Sequence, residues 1–258
     1  MASAPQQGLP LFYNDLTPIS SQLHGDWKLR SIDGAKFLVN AHAVPLLAEE
    51  FIQASRFYPI VFSLGDAPVP LALMGLNEGV NVVVDERGMF PDDWYVPAYV
   101  RRYPFLLARL RPDSDDLSLC VDPTSEVVGE FDEGELIFED GAPSERTKAI
   151  LQFCEQVEQA SALTTAFFND IREQKLLTDG EFTAQPNGAS QPHVYRGFQI
   201  ISEDAVKKLR GDVARKWLQN GLMPLVYAHL FSLQRMADIF GRQSLRGLLP
   251  PPNGPVLA

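Results

Sequence analysis

Cysteine is scarce in this chain: 258 residues contain two, Cys120 and Cys154. A disulfide between them is open to the chain but is not the expectation without a secretion signal, and neither cysteine has neighbours at metal-ligand spacing. Both lie in apolar-patterned segments, where a buried free thiol is the expectation. Long hydrophobic runs are missing too. The nearest approach, Tyr58 to Leu76, is broken by Gly65, Asp66, Pro68 and Pro70, so no stretch reaches the roughly 18 apolar residues that a membrane helix needs. The first residues, Met1 to Gly8, have neither a basic n-region nor an apolar h-region, and a cytoplasmic location is expected. Positive charge is in deficit, with 22 Lys and Arg against 33 Asp and Glu, a formal charge of −11. A field of that sign disfavours nucleic acid and anionic lipid. Gly-x-Ser-x-Gly, Gly-x-Gly-x-x-Gly and Walker loops are all absent, so serine hydrolase, dinucleotide dehydrogenase and P-loop kinase readings lack their required parts.

What is present is concentrated. Asp92 to Phe105 holds five aromatics, Trp94, Tyr95, Tyr99, Tyr103 and Phe105, and two adjacent arginines, Arg101 and Arg102. Arg109 and Arg111 follow. The next segment, Pro112 to Glu145, holds twelve acids and no Lys or Arg. An aromatic and cationic element beside an anionic one is either a surface for a partner or an internal electrostatic clasp.

The periodicities give an α+β fold, with a mainly antiparallel sheet in the N-terminal part packed against a helical C-terminal part. Residues 1–20 read as an extended arm. Val44-Pro45 is expected to open a short helix over 43–56. Short apolar runs at 58–62, 70–74, 80–84, 117–121 and 135–138, each punctuated by Gly, Pro, Asn or Asp, read as strands joined by hairpins. After Pro143 the apolar positions step by three and four from Ile150 to Ile171, which predicts one long amphipathic helix capped by Ser144. Val194 to Ile201 reads as a last strand. A helix capped by Ser202 ends at Asn220-Gly221, and another runs from Pro224 to about Gly241. With no Pro/Gly-rich linker between a β-rich lobe at about 30–140 and a helical lobe at about 144–241, the whole chain, 1–258, reads as one domain with a Pro-rich tail at 247–258.

Several constellations carry candidate chemistry. His24 and Asp26 have the His-x-Asp spacing of non-haem iron oxygenases, with His193 or His229 as the third ligand for Fe(II). The acidic run Asp113 to Asp116, with Asp122, offers oxygen ligands without the EF-hand pattern, so a solvated loop is the plainer reading. Asp92 and Asp93 beside Trp94 suggest a sugar or peptide site, or a cap on a helix that Trp94 begins. Cys120 has apolar and acidic neighbours, which do not activate a thiol. The candidate binding residues are Trp94, Tyr99, Arg101, Arg102 and Tyr103, because Arg forks grip carboxylate or phosphate and Tyr and Trp supply rigid contact area. The expected ligand is a protein partner or a small anion. The alternative places the aromatics in the core and pairs the arginines with the acids of 112–145. Two adjacent arginines on one helix cannot easily face one partner.

The blocks Phe57 to Phe62, Pro70 to Leu76, Trp94 to Phe105, Leu119 to Asp122 and Tyr227 to Leu233 together resemble the bacterial SapC family, in the family's order and over nearly the whole chain. The resemblance implies an accessory setting. Members are commonly encoded near TonB-dependent outer-membrane receptors and flavin-dependent halogenase-like proteins, and the family's name comes from a protein linked to surface layers. It carries no catalytic residues onto this sequence. A peptide-transport permease shares the name, but a chain without an apolar span is not that protein. The expectation is a non-catalytic accessory or binding protein, with the iron oxygenase and the sugar or peptide module as alternatives.

Overall fold

The computed structural model describes residues 8–111, 116–186 and 191–250. The acidic run at 113–115 and most of the tail lie outside them. The fold is α+β. Seven α-helices occur among the described residues: α1 Phe51–Ala54, α2 Ala98–Arg102, α3 Glu145–Glu173, α4 Glu203–Lys207, α5 Gly211–Gln219, α6 Leu222–Ser232 and α7 Arg235–Leu245. Every described strand ladder is antiparallel. The chain divides into two compact units that interleave in sequence. The first comprises Met1–Asp33 and Arg102–Glu158, the second Gly34–Arg101 and Gln159–Ala258.

The first unit contains two three-stranded sheets. In one, Leu117–Val121 pairs centrally with Thr17–Pro18 and Phe105–Arg109; in the other, Lys28–Leu29 lies between Val128–Gly129 and Glu135–Leu136. Its core gathers Phe105, Leu107, Val121, Val128, Ile137, Phe138 and Cys154. Ser144 caps α3 as expected, its Oγ accepting from Thr147 N at 3.3 Å. Asp122 is fully buried and structural. It accepts from Asn14 N at 2.7 Å and from Thr124 N at 2.8 Å, which ties the N-terminal arm to the loop after Leu117–Val121.

The second unit is built on a five-stranded sheet in the order Leu177–Asp179, Gln199–Ile201, Ile60–Phe62, Pro70–Leu73, Ala43–Pro45. Phe51, Phe62, Phe167 and Phe168 interlock edge-on and stacked, with centroids 5.1 to 6.3 Å apart, a geometry that adds to their area burial. Helix α6 is fastened to the sheet by two side chains. Ser232 Oγ accepts from Ile60 N at 2.9 Å, and His229 Nε2 accepts from Ile201 N at 3.0 Å. Gly75 is obligatory where the chain leaves this sheet, because a Cβ there would lie 1.8 Å from the Val80 carbonyl oxygen.

Four expectations about local structure need correction. Ala43–Pro45 is an edge strand against Leu71–Leu73, not the start of a helix; Pro is tolerated at an edge, where its missing N–H is not needed. Residues 80–84 form a buried loop. No strand ladder takes their donors: Val83 N and Val84 N donate to Asn81 Oδ1 at 2.8 and 3.1 Å, and Val80 N and Val82 N donate to the Asn77 and Met74 carbonyls. The segment 194–201 is two strands, His193–Tyr195 and Gln199–Ile201, in different sheets. The region 202–220 is two helices, α4 and α5, and 222–245 is α6 and α7.

Candidate binding site

The site is organised around a buried carboxylate. Glu50 is 4% exposed. An ionised group out of water needs donors, and Glu50 has three. Its Oε1 accepts from the Tyr95 hydroxyl and from Ala98 N, both at 2.7 Å, and its Oε2 from Leu47 N at 2.8 Å. The carboxylate thus fixes the segment just before α2. Tyr58 holds the same segment by donating its hydroxyl to the Tyr95 carbonyl at 2.5 Å. Burial pushes the Tyr58 phenol far above its ordinary range, and the neighbouring Tyr95 adds to it. Tyr95 is raised by burial first, then by its hydrogen bond with Glu50 and that group's charge, with Arg101 opposing. Both phenols therefore stay protonated and serve as donors.

On this frame sits an arginine–aromatic face, all within the second unit. Trp94 is half-buried, with its ring 5.5 Å from that of Phe57 in tilted contact and 5.5 Å from that of Tyr58, edge to face. Arg242, from α7, lays its guanidinium over the Trp94 ring at 4.8 Å. Arg56, just after α1, lies 5.6 Å from the Phe57 ring, and Arg101 lies 5.9 Å from the Tyr95 ring. Arg101 is steadied by donating Nε to the Val96 carbonyl at 3.1 Å. Among the described residues, Arg56 and Arg242 form no ion pair. A guanidinium near a ring face is attracted by the ring quadrupole, and its N–H fork is the group that matches a carboxylate or phosphate.

Of the residues picked from sequence, Trp94 and Arg101 belong to this face. Arg102, the next residue, belongs to the first unit. Its side chain is 13% exposed and reaches Glu158 at 3.8 Å. Tyr103 packs edge-on against Tyr13 at 5.2 Å in the first unit. Burial, and then the charge of Asp122, lift its phenol to about 12. Tyr99 is half-buried on α2. Trp94 does not begin a helix: its N–H closes a turn onto the Pro91 carbonyl at 3.2 Å, and α2 starts at Ala98. Glu50, Arg56 and Arg242 were not singled out from sequence. The signal for Glu50 was weak, a pair of acids, Glu49 and Glu50, between apolar residues. Arg242 gave none, because it comes from a helix remote in sequence.

The other constellations are structural. His24 Nδ1 accepts from Ser20 N at 3.1 Å and its ring packs on Trp27 at 4.2 Å. Among the described residues no three His, Cys, Asp or Glu gather in a way that could hold a metal ion, so His24, Asp26 and His193 are not brought together as ligands. His193 is buried beside Phe240 at 5.8 Å. His229 is fully buried, and desolvation pushes its pKa down to about 3, with the Ile60 backbone opposing. Both cysteines are buried and free. Burial raises both thiols; for Cys154, raised to about 11, Arg102 opposes. Neither is an activated nucleophile.

Fold and site together define an α+β protein with a preorganised arginine–aromatic face. No described helix is long and apolar enough to cross a membrane. The SapC family pattern matches residues 19–239, and the chain belongs to the SapC family. No curated protein and no solved structure matches it. The blocks that carry the likeness have legible jobs here. Tyr58 and Tyr95 frame the face, while His229 and Ser232 pin α6 to the sheet.

Proposed function

We propose that this protein is a non-catalytic accessory protein that works by binding a partner protein through Arg56, Phe57, Trp94, Tyr95, Arg101 and Arg242. The observation that carries this reading is that two guanidiniums lie over aromatic rings without an ion pair among the described residues, on a chain of formal charge −11. Aromatics and arginines held rigid at a surface are the residue types that anchor interfaces. The partners fit the family's usual neighbours. A halogenase-like flavoprotein comes first, because it shares the cytoplasmic location this reading assigns to the chain; a TonB-dependent receptor comes second. The iron oxygenase reading has no assembled ligand set to stand on. The sugar reading needs an open indole face, whereas Trp94 already has Arg242 over its ring and Phe57 and Tyr58 against it.

The test is co-elution. The purified chain is mixed with the halogenase-like protein, or the receptor, encoded beside it and run on a sizing column. Complex formation that is lost with Trp94→Ala, while thermal unfolding of the variant stays within a few degrees of the parent, supports the reading. Complexes that survive Trp94→Ala and Arg242→Ala together refute it.

A further inference from the structure

The recognised chemistry follows from the same face, and this inference rests on its being a binding surface. We infer that the face receives an extended acidic segment of the partner, with one carboxylate in the fork of Arg56 and a second in that of Arg242.

Three observations carry this. The first is the state of the cations. Arg56 and Arg242 are held over Phe57 and Trp94, and neither has a carboxylate of its own among the described residues. A guanidinium already ordered by a ring loses little freedom when it grips an anion, and a bidentate carboxylate is the ligand that fits its fork. The second is span. The path from Arg56 through the Phe57 and Trp94 rings to Arg242 limits the separation of the two cations to about 16 Å. An extended chain advances roughly 3.3 to 3.6 Å per residue, so two acids no more than about four residues apart are enough to span both. The third is the setting. The chain as a whole is strongly negative, so a long polyanion such as nucleic acid or an anionic membrane is repelled along most of its length. A short segment with two charges escapes that repulsion, because beyond roughly 8 Å physiological salt screens the rest.

Isothermal titration calorimetry on the full chain tests this. The probe is a short Gly/Ser peptide bearing two glutamates about four residues apart. Its controls are the same peptide with glutamine and a thymidine oligonucleotide of equal charge. The glutamate peptide is expected to bind, the glutamine peptide to bind at least about tenfold more weakly, and Arg56→Gln and Arg242→Gln each to weaken the glutamate peptide by about tenfold, the scale of one charge-assisted contact. Equal binding of the two peptides overturns the inference, as does indifference to both arginine variants or tighter binding of the oligonucleotide. No heat with the glutamate peptide at millimolar concentration also overturns it. If co-elution with the partner still depends on Trp94 while the peptide fails, the binding face stands and only acidic recognition falls. If co-elution fails as well, both fall.

Discussion

The two units carry very different charge. The first, Met1–Asp33 with Arg102–Glu158, has 17 acidic residues against 7 basic ones, a net of −10; the second, Gly34–Arg101 with Gln159–Ala258, has 16 against 15, a net of −1. The strong acidity of the chain is therefore a property of one unit. The other is close to neutral and holds the arginine–aromatic face. The global charge argues against polyanions, but it does not argue against local anion binding by the second unit. The units also bury charge differently. Asp122 in the first unit ties a loop to the N-terminal arm, whereas Glu50 in the second supports the face itself.

The sharpest way to break this comparison is at Glu50. Replacing it by alanine leaves the Tyr95 hydroxyl, Ala98 N and Leu47 N without their acceptor, and stranding buried donors of this kind costs about 3–5 kcal/mol. Chemical denaturation should show that loss together with loss of partner binding. If the stability of Glu50→Ala falls by less than about 1 kcal/mol, the carboxylate does not organise the segment.

Gly75→Ala is the next largest effect. The added Cβ meets backbone at Val80, which cannot swing aside like a side chain, so a loss of about 3 kcal/mol is expected in the same measurement. Retained stability would mean that the 75–80 turn relaxes freely.

These sites also show what the sequence made legible. Helix α3 was readable because its apolar positions recur at three and four over 29 residues, more than any strand could sustain. The cap at Ser144 and the left-handed Gly221, φ 82°, followed from local chemistry. The 80–84 loop was not legible. Its valines are as buried as strand valines, and only the Asn81 side chain, which donates to Leu38 O and Ala41 O and accepts from Val83 N and Val84 N, makes it a loop. Part of the candidate face was legible, since Trp94 and Arg101 stand in the conspicuous block. Glu50 and Arg56 flank α1 and Arg242 lies on α7, and no local pattern links residues that meet only through the fold.

Acidification should separate the units. His229 in the second unit has its folded pKa lowered to about 3, chiefly by burial. A histidine depressed in this way binds its proton more readily when unfolded. Stability is full above the unfolded value near 6.5 and falls as pH drops from there toward 3, by about 1.4 kcal/mol per pH unit at most. His229→Gln should flatten that slope between pH 6 and 4 even if it lowers stability throughout. A slope unchanged in the variant would assign the acid sensitivity elsewhere.

The smallest expected effect lies in the first unit and has the opposite sign. Glu130, Asp132, Glu133 and Glu135 crowd an open cleft of about 700 Å³ whose one lining cation, Arg30, lies 4.0 Å over Phe131 and donates to the Glu126 carbonyl at 2.7 Å. These four acids are exposed, so their mutual repulsion is weak and screened. Neutralising two of them, Glu133→Gln with Glu135→Gln, should stabilise the protein by less than about 1 kcal/mol at low salt, and by less again near 0.15 M, where the Debye length is about 8 Å. Denaturation midpoints at two ionic strengths decide the point. A destabilising effect that ignores salt would mean that these carboxylates make specific contacts, and the first unit would then be as finely tied by its acids as the second is by Glu50.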